Sequence, residues 1–243
     1  MAKNREELLR GSLTQSMENY LKAIFEILEH DERATTSSIA ERMAIAAPSV
    51  TAMVKKLAEL KFVSHEPYQG VTLTRAGEMA AIEVVRHHRL IEKYLADALG
   101  VPWDLVHDEA EKLEHVISED LEDRIDGALG HPTVDPHGAP IPARDGTVVR
   151  VLANRLADAV GGDTVVVVEV DDRDPNLLRY LGERQLYPGT TVEIVRVEPY
   201  GGSTVLRVAG REFAIGRDAV AVIRVAPPEA NTRAQAARKE RRA

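Results

Sequence analysis

No cysteine occurs in the 243 residues, so disulfides, thiolate nucleophiles, thiolate zinc sites and iron–sulfur clusters are excluded together. Long apolar runs are missing as well. None approaches the ~20 residues of a membrane span, and the start, Met1-Ala2-Lys3-Asn4-Arg5-Glu6-Glu7, is too polar for a secretory signal. A cytoplasmic protein is expected. Enzyme fingerprints are also absent: there is no HExxH, no Walker-type glycine loop and no G-x-S-x-G. A di-metal carboxylate bundle needs two Glu-x-x-His motifs. Glu111-Lys112-Leu113-Glu114-His115 sets its histidine one residue late and has no second copy.

Positive charge is scarce overall, with a net charge of −8, but its distribution says more than its sum. Residues 1–75 carry ten basic and ten acidic side chains. The end, 227–243, carries Arg233, Arg238, Lys239, Arg241 and Arg242 against Glu229 and Glu240, which leaves an excess of eleven negative charges in 76–226. An acidic middle recruits cations while a neutral-to-basic end meets DNA. The length leaves room for more than one core. The division expected is a DNA-binding domain over 1–74, a helical domain over 75–149, a small β domain over 150–226 and a disordered basic tail over 227–243.

Residues 1–12 read as frayed. From Thr14, Met17, Tyr20, Leu21, Ile24 and Leu28 recur at helical spacing until His30-Asp31-Glu32. A shorter helix over about Thr36–Met43, started by Ser37 or Ser38, precedes a small-residue turn. Pro48 then opens a helix with the stripe Val50, Met53, Val54, Leu57, Leu60. Two helices joined by a tight turn make a helix-turn-helix. Phe62–Glu66 and Val71–Thr74, flanking a turn at Pro67-Tyr68-Gln69-Gly70, add a hairpin and so a winged helix. In its recognition helix Pro48, Ser49, Thr51 and Ala52 would face base edges or thymine methyls, while Lys55, Lys56 and also Ser49 would meet phosphates of double-stranded DNA.

Thr74 caps a long helix, Arg75 to about Leu99, in which His88 and Glu92 stand at i, i+4 and can chelate one ion. Asp104 is expected to cap the next helix, running through Ile117 to about Leu129. In it His107, Glu111, Glu114 and His115 fall at i, i+4, i+7 and i+8 and share one stripe. That stripe reads either as a solvated acidic face or as a site for a hard or borderline cation. Long amphipathic helices after a winged helix supply a dimer interface.

Gly130–Pro142 holds too many Pro and Gly residues for regular structure and reads as an ordered strap. In it His131 and His137 could be ligands, but beside prolines they are read as capping or exposed. From Gly162 the pattern turns to β, over Val165–Val170, Thr191–Val197, Ser203–Val208, Glu212–Ile215 and Val220–Val225, a small barrel. A short helix capped by Asp174 ahead of Pro175 interrupts it.

The ordered series Ser16-Met17-Glu18-Asn19-Tyr20-Leu21, Arg86-His87-His88-Arg89-Leu90, Val106-His107-Asp108-Glu109-Ala110-Glu111, Leu113-Glu114-His115 and Asp135-Pro136-His137-Gly138-Ala139-Pro140-Ile141-Pro142 resembles the metal-dependent repressors of the diphtheria toxin repressor and manganese transport regulator family. The resemblance spans nearly the whole chain. It implies a homodimeric repressor that controls metal homeostasis and binds a palindromic operator when metal is present, mainly α with a C-terminal SH3-like barrel. It further implies two ligand sets: Asn19 with Glu111, Glu114 and His115, and His88, Glu92 and His107 with Asp174 from the barrel. The barrel's second family ligand would fall on Leu177, which cannot coordinate. The family's iron-sensing branch has sulfur ligands where this chain has Asn19 and Glu111. The manganese branch matches at Glu111 but carries a carboxylate in place of Asn19. Oxygen in place of sulfur favours Mn²⁺ over Fe²⁺. Other readings are an iron-responsive repressor, a winged-helix sensor of a small organic ligand, and a metal hydrolase.

Overall fold

The computed structural model describes residues 13–31, 33–66, 70–149 and 151–229. The frayed start expected over 1–12, most of the wing turn and nearly all of the basic tail lie outside them. Two compact units divide the chain. One runs up to His87 and takes in Pro142–Gly146; the other comprises His88–Ile141 and the chain from Thr147 onward.

In the first unit, α1 (Gln15–His30) is capped by Thr14, whose side chain accepts from the Met17 amide. Met17, Tyr20, Leu21 and Ile24 are buried along it. α2 (Thr36–Arg42) starts one residue or more before the expected serines. Thr35 is the cap, and Ser38 returns a hydrogen bond to the Thr35 amide to complete a capping box. α3 (Ala47–Glu59) has Pro48 in its first turn, where a missing N–H costs nothing, and it buries Val50, Val54 and Leu57. β1 (Val63–Glu66) and β2 (Gly70–Leu73) pair antiparallel, and Ala34 bridges Val71 on the far side of β2. These elements make the winged helix that the apolar spacing predicts. Thr74 Oγ1 accepts from the Gly77 amide and donates to the Lys61 carbonyl, so it caps α4 (Arg75–Leu99) and fastens its start to the wing.

α4 runs from the first unit into the second. There the expected single helix is two, α5 (Val106–Leu113) and α6 (Glu119–Ala128). The break has a local cause: the Ser118 hydroxyl accepts from the Leu121 amide and starts a new helix. Asp104 is not the cap of α5. Leu105 holds that position without a side-chain bond, and Asp104 receives Arg179 Nη2 at 3.0 Å.

The strap after α6 folds back on itself. Val134 bridges Pro140, and the Asp135 carboxylate accepts from the amides of His137 and Ala139. Arg89 of α4 donates to the Pro140 carbonyl at 2.6 Å, and the Val170 amide donates to the His137 carbonyl at 2.9 Å. A Cβ on Gly138 would lie 2.0 Å from the Val168 carbonyl oxygen, and its φ is +95°, so only glycine permits this approach.

The sheet module follows: β3 (Asn154–Arg155), a 3-10 turn (Leu156–Asp158), β4 (Thr164–Val170), α7 (Pro175–Gly182), β5 (Thr191–Val197), β6 (Thr204–Val208), β7 (Arg211–Ile215), α8 (Arg217–Ala221) and β8 (Ile223–Ala226). Its strands lie antiparallel in the order β3-β8-β4-β5-β6-β7 around Leu178, Leu181, Val192, Ile194, Leu206 and Ile223. The strand expected over Val220–Val225 is shorter, because α8 takes Val220 and Ala221 and buries Val220 as a helical residue.

Candidate metal centre and DNA-reading face

Glu92 is the hub of the second unit's polar interior, wholly buried on α4 one turn after His88. Its Oε1 lies 3.0 Å from His88 Nε2, 3.3 Å from His107 Nδ1 and 3.8 Å from His137 Nδ1. The carboxylate from the sheet module is Asp172. Its Oδ2 stands 3.4 Å from His107 Nδ1 and 3.9 Å from His137 Nδ1. Asp135 completes this inner group, with donor atoms of Glu92, Asp135 and His137 within 4.8 Å of one another. On the other side of the two α4 and α5 histidines, Glu114 Oε2 is 2.5 Å from His88 Nδ1 and Glu111 Oε1 is 3.8 Å from His107 Nε2. Glu114 Oε1 also lies 3.2 Å from His115 Nε2.

Of the eight residues expected as ligands, the structure brings His88, Glu92 and His107 into one group, places Glu111 and Glu114 with His88 in a second, and sets His115 against Glu114. Asn19 stands half-buried on α1, in the other unit. Asp174 is a correction. Its carboxylate is engaged with the amides of Asn176 and Leu177 as the cap of α7, while Asp172, two residues after β4 ends, reaches His107. His137 is a second correction, since it is 1% exposed rather than on the surface. Its Nε2 donates to the Trp103 carbonyl at 2.7 Å and its ring stacks on Trp103, which turns Nδ1 inward. His131 does match its expected surface role and pairs with Asp126 at 3.0 Å. Asp135 is absent from the expected ligands, and no local spacing singles it out; it reaches Glu92 and His137 because the strap docks on α4 and β4.

The charges of the inner group are set by one another. Burial works to raise the Glu92 carboxyl, but the charge on His88 and hydrogen bonds from His107 and His88 outweigh it and hold it at about 2. Burial works to lower His107, yet hydrogen bonds to Asp172 and Glu92 push it up to about 11. Burial and the neighbouring Glu92 charge raise Asp135 to about 7 against His137 and Arg89. Asp172 is held well below the usual carboxylate range, against burial, by its hydrogen bond from His107.

Three buried atoms among the described residues have no hydrogen-bond partner: Glu92 Oε2, Asp135 Oδ2 and His137 Nδ1. Leaving such groups unpaired costs about 1–3 kcal/mol each, and all three belong to one candidate cation group. A divalent ion with bonds of roughly 2.1–2.5 Å needs donors about 3–3.5 Å apart. The hub distances from Glu92 Oε1 to His88 and His107 fall in that range. Carboxylate and imidazole donors without sulfur suit Mn²⁺, Fe²⁺ or Zn²⁺. The residues present fit a divalent cation.

In the first unit, α3 separates two faces. Val50, Val54 and Leu57 are buried, while Pro48, Ser49, Thr51, Ala52, Lys55 and Lys56 are all exposed. Thr51 Oγ1 donates back to the Ala47 carbonyl at 3.1 Å. No helix among the described residues is long and apolar enough to cross a membrane.

Comparisons with known proteins cover both units. Residues 12–71 match the family described as iron dependent repressor, N-terminal DNA binding domain; 74–143 match its metal binding and dimerisation domain; and 154–227 match the FeoA domain, an SH3-like module. The chain is 32% identical over 215 residues to the iron-dependent repressor IdeR of Mycobacterium leprae, covering 83% of this chain and 92% of that one. Among solved structures it is similar to a manganese-dependent transcriptional repressor in complex with manganese, at TM-score 0.82 and 37% identity over 87% of this chain and 99% of the other. The manganese regulator SloR is similar at TM-score 0.73 and 31% identity, over 87% and 98%.

Proposed function

The chain belongs to the iron-dependent repressor family, which includes the diphtheria toxin repressor and manganese-dependent repressors, and as a metal-dependent DNA-binding transcriptional repressor it uses, we propose, Mn²⁺ as its signal. The observation that carries this is the carboxylate of Glu111, grouped with Glu114 and His88, where the iron-sensing branch of the family has a sulfur ligand. We assign the inner ligands to His88, Glu92, His107 and Asp172, with Asp135 and His137 at the same hub. Glu111, Glu114 and His115 form a second candidate group. The domain division is proposed as 1–74, 75–149 and 150–226, and the location as cytoplasmic.

A bound cation supplies the positive charge that lets Glu92, Asp172 and Asp135 face one another. His88 and Glu92 of α4, His107 of α5, Asp135 and His137 of the strap and Asp172 after β4 would hold it and so join these elements. The ion raises DNA affinity only as far as it binds the DNA-competent arrangement more tightly than the others. DNA reading falls to α3, with Pro48, Ser49, Thr51 and Ala52 against base edges and Lys55 and Lys56 on phosphates. A second copy of the chain supplies the other half-site. Leu99, Leu105, Leu113, Val116 and Leu121 are large apolar side chains left exposed in the helical part of the second unit, and they are the surface this copy would cover.

Iron is the second reading, favoured by the curated relatives named as iron-dependent. One measurement separates the two. Duplexes selected from a randomised pool are titrated with protein at fixed free Mn²⁺, Fe²⁺ or Zn²⁺, and with chelator. Binding at the lowest free concentration with Mn²⁺, lost in Asp172→Asn, is expected. Earlier activation by Fe²⁺ would assign iron, and DNA binding indifferent to metal would refute the reading.

A further inference from the structure

His88 and His107 each turn their two ring nitrogens to different carboxylates. His88 directs Nε2 to Glu92 Oε1 at 3.0 Å and Nδ1 to Glu114 Oε2 at 2.5 Å. His107 directs Nδ1 to Glu92 and Asp172, at 3.3 and 3.4 Å, and Nε2 to Glu111 Oε1 at 3.8 Å. The rings stand edge to face, with centroids 4.9 Å apart, and each has a carboxylate of the inner group at one nitrogen and a glutamate of the α5 segment at the other.

An imidazole that ligates a metal offers one lone pair, and its other nitrogen keeps the proton. The acceptor of that proton fixes the tautomer and the angle of the ring. Glu114 is 2% exposed, and its nearest contact to His88 is at hydrogen-bond distance, so its grip on the ring is rigid. Glu111 is half exposed and its contact is longer, so its grip on His107 is looser. Glu114 also serves both groups with different atoms, Oε2 toward His88 and Oε1 toward His115.

We propose that Glu114, and more weakly Glu111, are positioning residues for the inner metal centre, acting through the far nitrogens of His88 and His107, so that the two carboxylate groups work as one coupled centre. This rests on the metal reading above. The coupling has a geometric origin: the ring that faces Glu92 and the ring that Glu114 holds are the same ring.

The test uses the full chain and Mn²⁺ alone. Calorimetric titrations of wild type, Asp172→Asn, Glu114→Ala and Glu114→Gln are run with free Mn²⁺ followed in parallel by electron paramagnetic resonance, and thermal melting reports the fold of each variant. The binding step lost in Asp172→Asn marks the inner centre. Glu114→Ala is expected to weaken that step about ten- to a hundredfold, although Glu114 meets the inner group only through His88. Glu114→Gln keeps an amide oxygen that accepts from Nδ1–H, so it restores most of the inner affinity while the step assigned to Glu111, Glu114 and His115 stays impaired. In the protein loaded with diamagnetic Zn²⁺, nitrogen–proton correlation spectra should show His88 protonated at Nδ1 and ligated at Nε2. An inner step unchanged in Glu114→Ala, a Gln variant as weak as the Ala variant, or the opposite His88 tautomer would overturn the proposal. A wild-type protein that takes up no Mn²⁺ would instead overturn the metal reading beneath it.

Discussion

At the scale of single residues, the inner group without a cation is held together by protons. His107 carries one up to about pH 11, because Asp172 and Glu92 hold it there against burial. Asp135 keeps its own up to about pH 7, through burial and the charge of Glu92. A cation must displace these protons, so metal binding strengthens as pH rises, by about tenfold per pH unit for each proton released. The fold's own stability runs the other way. His107, raised from 6.5, contributes fully below pH 6.5 and loses that contribution as pH climbs toward 11. Asp135, raised from 3.8, costs increasingly more to ionise between pH 3.8 and 7. Glu92, held at about 2, contributes above its ordinary 4.5 and loses this only as pH falls toward 2. The melting temperature of the chelated protein should therefore decline from pH 6 to pH 8, while the increment given by Mn²⁺ grows. A constant increment across that range, in parallel melts with and without Mn²⁺, would contradict this account. Helical periodicity puts His88 and Glu92 on one face, while the grouping of His107 with them is what the family resemblance implies rather than what spacing encodes. Asp172 was legible from neither. Three aspartates fall within Asp171–Asp174, and choosing among them requires knowing that Asp174 is engaged as a helix cap and Asp171 pairs with Arg173.

At the scale of elements, the strap carries more than its irregular composition suggests. Arg89 fastens it to α4 through the Pro140 carbonyl, the Val170 amide fastens it to β4, and Gly138 sits where any side chain would strike Val168. Gly138→Ala should cost about 1–3 kcal/mol from the left-handed backbone alone, and more from the clash. It should also weaken Mn²⁺ binding by shifting Asp135 and His137; calorimetry and a thermal melt read both effects. Ser118→Ala tests the helix break separately. Its expected loss is about 1 kcal/mol from the missing cap, with Mn²⁺ affinity unchanged, because Ser118 is not among the candidate ligands. Helix periodicity located α1, α3 and α4 well, since each shows a long one-sided stripe. The α5–α6 break and the shortened β8 depend on a serine cap and on a five-residue helix, signals too short to outweigh the apolar pattern around them. The burial of His137 was illegible for a different reason: it follows from where the strap docks, which no local spacing encodes.

At the scale of the whole molecule, a protein of net charge −8 is proposed to bind a polyanion. Attraction must therefore come from a small number of placed cations rather than from the overall field. On the α3 face those are Lys55 and Lys56, both exposed. Each phosphate contact contributes about 0.9 to the slope of log affinity against log salt. Replacing both lysines by alanine should therefore flatten the slope by about 2 if one copy binds, and by about 4 if a dimer places two α3 helices on one duplex. The affinity loss should be similar for every duplex sequence, since phosphates carry no sequence information. Leu99→Glu with Leu121→Glu, which puts charge on the apolar surface assigned to the second copy, should reduce the sedimenting species to a monomer and shrink the lysine effect on the slope from about 4 to about 2. If the double glutamate variant sediments as the wild type does, that surface is not the interface. A slope change of about 2 in the unaltered protein would mean that a single copy reads the DNA.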